Sequence, residues 1–456
     1  MKQSLFLYTL ACCLVLFSCK KYLDEKPNKS LQTPTTIDAV QGILDYFPYM
    51  NRQCEQSSEI ASDNYYLTDS LFGALSADRM RNAYLWKQHI FNGTHPDDWQ
   101  NEYTVVYNAN VVLESLEDIG RTSVNASAWD NCKGQALVFR AKAFYEIAQV
   151  WAKAYNPATA GADLGIPLRL ASDFNIPSRR STIKETYEQI INDLTAAIPL
   201  LPDKPVFVFR PSRPAAYALL ARTYLVMGNY IEADHYANLA LAIQNTLVDY
   251  NTLNPSLRYP FSPIQYTNPE DVMHSRSIGV STNLSPSFGR IDSLLYRSYA
   301  VNDLRKVVFF KENTAGGYSF SGNYSGTISS TNYNGIATDE LYLISAECKA
   351  RLGDAKSAID LLNKLLVTRW KKGTFVPFAA SDPASALQLI LTERRKELVY
   401  RCTRFSDIKR LNRDGANIIL QRVIGGVKYM LSPNDSRYAL PIPDEVITAS
   451  GMQQNE

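Results

Sequence analysis

The chain has 456 residues, enough for one or two domains with a large core. A net charge of +2 with 20% charged residues excludes the strong positive field of a nucleic-acid-binding protein. Aromatic residues are plentiful, with 28 Tyr, 18 Phe and 5 Trp, and tyrosine suits surfaces that hold polar ligands because the ring stacks while the hydroxyl bonds.

The first residues speak to compartment. Lys2 gives a positive start, and Leu5 to Phe17 is an apolar run too short to span a bilayer but right for a signal peptide. It ends at Ser18 and Cys19, followed at once by Lys20, Lys21, Asp24 and Glu25. A small residue and a cysteine at the border of apolar and charged sequence predict lipoprotein processing. Residues 1–18 are then a signal peptide, Cys19 a lipid anchor, and 19–36, with Pro27 and Pro34, an extended tether. Acyl chains on the cysteine hold by buried methylenes, at roughly 0.8 kcal/mol each.

Helical periodicity begins near Ile37. It is strong over Asp98 to Ile119, where Trp99, Tyr103 and Tyr107 share one face and are expected in the core. Cys132 to Tyr155 and Thr182 to Leu201 follow, the latter with Thr182 as N-cap and Glu185 three residues on. A repeat comes next: Ala221, Gly228 and Ala233 match the spacing of Ala346, Gly353 and Ala358. Small residues where two antiparallel helices press together, with glycine at the turn, make a tetratricopeptide pattern. Between the two copies, residues 246–337 are rich in Pro, Asn, Ser, Gly and Tyr, and predict short strands and long loops. The fold class is therefore mainly α: helix-pair scaffold over 37–245 and 338–456, with a loop-rich insertion that forms a ligand face.

Chemistry-bearing patterns are few. Cys54, Cys132, Cys348 and Cys402 are scattered and form no CxxC pair, which argues against zinc. The four histidines (His89, His95, His235 and His274) have no HExxH spacing. His95 with Asp97 and Asp98 reads as a solvated turn, its acids meeting a helix N-terminus. Glu393, Arg394, Glu397, Arg404, Asp407 and Arg410 read as an ion-pair network bracing a helix. No nucleophile elbow or phosphate loop appears. The sequence predicts no enzyme, no cofactor and no metal.

Several stretches, in this order, make the chain resemble the SusD/RagB family of Bacteroidetes surface lipoproteins. They are Cys19 with Asp24 and Pro27; Ser62 and Asp63; Trp99, Tyr103, Tyr107 and Asn110; Arg140, Ala141 and Tyr145; Gly165 to Leu168; and Tyr187 with Asp193. The C-terminal stretches are the most specific: Glu393, Arg394, Glu397 and Leu398 through Arg404, Asp407 and Arg410, then Leu440 to Pro443 with Gln454 and Asn455. The sequence departs from the family where Tyr400, Arg401 and Cys402 replace an acidic residue and glycine.

The resemblance implies about four tetratricopeptide-like helix pairs over 37–456, one split by an insertion near 156–181. It also implies a surface-exposed lipoprotein of the outer membrane. Such a protein captures oligosaccharide for a SusC-like TonB-dependent transporter, as a hinged lid. A peptide-binding RagB-like role, or a scaffold that only stabilises the transporter, are the alternatives. Sugars need flat rings for their C–H faces and amides for their hydroxyls. The loop residues that offer these are Asn64, Tyr65, Tyr66, Trp86, Tyr318, Phe320, Asn323 and Tyr324.

Overall fold

The structure, a computed structural model, describes residues 34–52, 54–91, 97–264, 267–277, 281–327 and 331–456. The predicted signal peptide, Cys19, most of the predicted tether and His95 lie outside the described residues. The fold is mainly α, as the sequence predicts. The helices that matter below are α1 (Ile37–Leu44), α2 (Asp97–Ile119), α3 (Ala126–Trp151), α4 (Ile183–Ala197), α5 (Arg213–Met227), α6 (Tyr230–Ile243), α7 (Thr338–Arg351), α8 (Ala355–Leu366), α9 (Pro383–Glu397) and α10 (Arg404–Arg413).

Local chemistry sets their ends. Thr182 and Glu185 form the expected capping box on α4, each side chain bonding the other's backbone N–H. Gly228 ends α5 at φ +82°, a left-handed turn that a side chain would strain, and the Asn229 side chain then caps α6. Gly353, at φ +95°, and Asp354 do the same between α7 and α8. Ala221, Ala233, Ala346 and Ala358 are fully buried, so the two copies of the repeat press helix on helix through small side chains. α2 packs on α3, α3 on α4, α5 on α6, α6 on α7, and α7 on both α8 and α9. Between α3 and α4, β2 (Leu164–Pro167) and β3 (Arg180–Thr182) form a small antiparallel pair within the expected interruption.

One large apolar core fills the helical layers. A second, rich in aromatic rings, joins two distant segments. Tyr65, Leu67, Leu75 and Tyr84 pack with Tyr250, Phe261, Phe309, Phe310, Phe320, Tyr324 and Tyr333 of the insertion. Sequence alone assigned residues 65–85 to the scaffold, but their rings find their partners in the loops. Short strands make the joins. β1 (Tyr65–Tyr66) pairs with β5 (Arg290–Ile291), β4 (Asp271–Met273) with β8 (Ile336–Ala337), and β6 (Phe310–Glu312) with β7 (Tyr318–Phe320). A final hairpin, β9 (Leu420–Ile424) and β10 (Val427–Leu431), turns on Gly425 and Gly426, both at positive φ. Among the described residues no helix is long and apolar enough to cross a membrane.

The charged C-terminal set is a buried network. Arg394 meets Asp407 at 2.8 Å, and Arg410 meets both Asp407 at 2.8 Å and Glu347 of α7 at 2.5 Å. Glu393 and Glu397 reach Arg305 of the insertion, which also holds Asp303. Arg369 ties Glu397 to Glu270. Scaffold and insertion are thus joined by paired charges, each satisfied by more than one partner.

Candidate ligand-binding face

Of the eight loop residues singled out from sequence, the structure brings Tyr66 and Tyr318 together at the surface. Gly316 and Gly317, at φ +88° and +74°, turn the chain into β7. A Cβ on Gly317 would sit 3.2 Å from the Tyr66 hydroxyl and 3.2 Å from Arg290 Cδ, so glycine lets the loop lie against both. Arg290 is buried and staples this corner: Nε donates to Gly316 O at 2.9 Å, and Nη1 donates to Pro286 O and Ser287 O at 3.2 Å.

Tyr318 stacks on Tyr296, with centroids 3.7 Å apart and planes within 16°. Tyr296 lies on the short helix Ser293–Ser298, whose N-cap Asp292 accepts from Leu295 N at 2.8 Å. The Lys306 ammonium stands 5.0 Å from the centre of the Tyr296 ring. Tyr66, Tyr296 and Tyr318 are all half-buried. The face therefore offers flat rings, phenolic hydroxyls and one ammonium. Sequence reasoning missed Tyr296, because a lone tyrosine after two leucines in a short helix has no spacing that marks it as exposed.

The other six candidates are buried. Asn64 is enclosed and donates from Nδ2 to Glu59 Oε1 at 2.8 Å. Tyr65 lies in the aromatic core, its hydroxyl donating to Ile60 O at 3.1 Å. Trp86 borders an open groove of about 610 Å³, yet it is 1% exposed, and Nε1 donates to Ala61 O at 2.9 Å. The burial decides: a ring with no accessible face is no platform for a sugar. Phe320 stacks on Tyr400 at 4.6 Å, and Asn323 is buried beside Ser325. The Tyr324 hydroxyl lies 2.7 Å from both the Tyr250 hydroxyl and Glu270 Oε2, with the Arg401 guanidinium 3.8 Å from the ring centre.

The Ser62–Asp63 stretch now has a role. Burial works to raise the Asp63 pKa, but the Arg404 and Arg395 guanidiniums outweigh it and hold the carboxyl well below its usual range. Two ion pairs to Arg404, at 2.7 and 2.9 Å, fasten the root of this loop to α10. Asp98 is likewise structural: Oδ2 accepts from Gln56 N, Ser57 N and Ser57 Oγ, capping the helix Ser57–Ala61.

Two other places gather rings or ligand-type atoms. Trp99 packs edge-on against Trp151 at 5.1 Å, as expected of a core residue. Tyr107 is 39% exposed, and with Tyr103, Phe174 and Met452 it lines a cleft of about 280 Å³, so the helix face is not wholly core. Cys54, Glu102 and Glu146 bring ligand atoms within 4.8 Å of one another. The Lys142 ammonium already bonds Glu146 and lies 3.5 Å from Cys54 Sγ, which supplies the positive charge a metal would bring. Cys54, Cys132, Cys348 and Cys402 are all buried and unpaired.

Two family models match the chain: one described as starch-binding and associating with the outer membrane over residues 21–225, and the SusD family over residues 311–456. Together they cover most of the sequence. A SusD-like protein P2 of Formosa agariphila is 25% identical, over 81% of this chain and 83% of its own. A SusD superfamily protein from Bacteroides thetaiotaomicron superposes with a TM-score of 0.73 at 21% identity, covering 92% of this chain and all of its own. A SusD-like carbohydrate-binding protein from Bacteroides vulgatus does so at 0.66 and 18% identity, covering 92% of this chain and 97% of its own.

Proposed function

The chain belongs to the SusD family, and from that premise we propose that it is a non-catalytic receptor that captures oligosaccharide at the cell surface. It is anchored in the outer membrane by lipid on Cys19 and passes its ligand to a SusC-like TonB-dependent transporter. The family's outer-membrane association and the carbohydrate-binding relatives support this reading. The observation that carries it is the stacked, half-exposed pair Tyr296 and Tyr318 beside Tyr66, on a face built by the insertion together with residues 65–85. Rings, hydroxyls and an ammonium hold a sugar without cleaving it.

Calorimetric titration of the purified protein against oligosaccharides and peptides tests this. Tyr318→Ala should weaken glycan binding about tenfold, or ~1.4 kcal/mol, with the melting temperature nearly unchanged. Binding confined to peptides would move the protein to the RagB-like role. Absence of any binding, while its transporter imports a glycan, would leave it a scaffold.

A further inference from the structure

A cavity of about 320 Å³ lies between the end of α3, the turn around Asn156 and Thr159, α10, and the loop that leads to Tyr438. It shares no residue with the tyrosine face. Its volume is near the low end for small-molecule sites, enough for one sugar ring and too small for a chain.

Lys409 stands in its wall and is only 4% exposed. Two of its three N–H bonds go to the Gln149 and Ala152 carbonyls, at 2.7 and 2.6 Å, which end α3. Those bonds take up part of the negative end of the helix. The acids nearby are already committed. Asp435 pairs with Arg437 at 2.7 Å, Asp163 faces Lys153 at 3.6 Å, and Asp414 takes Arg413 at 2.8 Å. Among the described residues no carboxylate pairs with Lys409, and burial alone pushes its ammonium down to about 7. Arg413 and Lys153 line the same wall but are held by those acids, so Lys409 is its one lysine or arginine without a carboxylate partner among the described residues, while Asn156, Thr159 and Ser436 supply amide and hydroxyl groups.

We propose that this cavity is a second site, which binds a single anionic group, a carboxylate or a sulfate ester, carried on a sugar ring. The anion meets Lys409, and the ring hydroxyls meet Asn156, Thr159 and Ser436. The sugar as carrier rests on the proposed function above; the anion rests on Lys409 and its unpaired charge.

Titration calorimetry of the purified protein at about pH 6, where Lys409 is protonated, provides the test. Glucuronate and galactose 6-sulfate should each bind saturably, at least tenfold more tightly than neutral methyl glucoside. Lys409→Met should abolish this preference. Ser436→Phe, which fills the cavity without touching the lysine, should do the same and decides the matter if Lys409→Met fails to fold by circular dichroism. Equal affinity for the neutral sugar, undiminished glucuronate binding by Ser436→Phe, or no binding of either anion would overturn the proposal. Tyr318→Ala separates it from the proposed function, because that variant acts on neutral glycan at the other face.

Discussion

At the scale of single residues, the aromatic excess served two purposes that sequence could not tell apart. Trp86, Tyr65, Phe320 and Tyr324 sit in loop-like sequence, yet each is enclosed by partners far along the chain. Arg422 illustrates this: its guanidinium lies 3.7 Å from the Tyr84 ring centre and 4.4 Å from that of Trp86. A substitution there acts on stability and not on recognition. Trp86→Ala should cost about 3–5 kcal/mol, read from denaturant unfolding, while the folded fraction keeps its glycan affinity. The departure at Tyr400 and Cys402 also has a physical account. Both hold positive φ, +61° and +55°, the conformation that glycine adopts freely and that other residues keep only when held in place. Here the Tyr400 ring is pinned on Phe320, and the Cys402 N–H donates to Glu59 Oε2 at 3.2 Å.

At the scale of elements, the helices were legible because capping, periodicity and the alanine–glycine repeat are local. The ion-pair network was legible in kind but not in partners: Arg410 finds Glu347, and Glu393 finds Arg305, across long stretches of chain that spacing does not relate. The network sets a pH response. Burial tends to raise the Asp407 pKa, but Arg394 and Arg410 overcome it and hold it at about 2, against about 4 in an unfolded chain. Its stabilisation is complete above about pH 4 and is lost as pH falls towards 2. Glu340, Glu347 and Glu397 are also held low, with burial opposing and their arginine partners prevailing, so they act with the same sign. Glu59 does the reverse: burial pushes it up to about 7 despite bonds from Asn64 and Ser62. The folded state therefore keeps a proton that the unfolded chain releases, and stability falls as pH rises from about 4 to 7. Melting temperature should peak in mildly acidic buffer, near pH 4 to 5, and Glu59→Gln should flatten the neutral side of that curve.

At the scale of the whole molecule, composition alone marks 246–337 as loop-rich, but not residues 65–85, whose rings pack with it. The pairing of β1 with β5 is two residues long, and pairings so short leave no periodic trace in a sequence. The proposed ligand face is thus half legible in the sequence: its glycine-rich loop stands out, while Tyr296 and the burial of its neighbours do not. The proposed anchor on Cys19 belongs to this scale as well. Cys19→Ala should shift the protein from the membrane to the soluble fraction while calorimetric affinity for glycan stays as it was. Loss of affinity in that variant would tie the anchor to the site.

The charges shared by Arg305, Arg369, Glu270, Asp303, Glu393 and Glu397 lie at the roots of the insertion, away from its tips. A foundation of this kind separates what must be conserved from what is free to drift. Exposed positions at the tips, such as Leu294, Arg297, Thr314 and Ala315, can be rewritten by mutation without disturbing the braces below them. Under the proposed function, editing a few exposed residues changes what is gathered, and a designer can graft new tips on the same base.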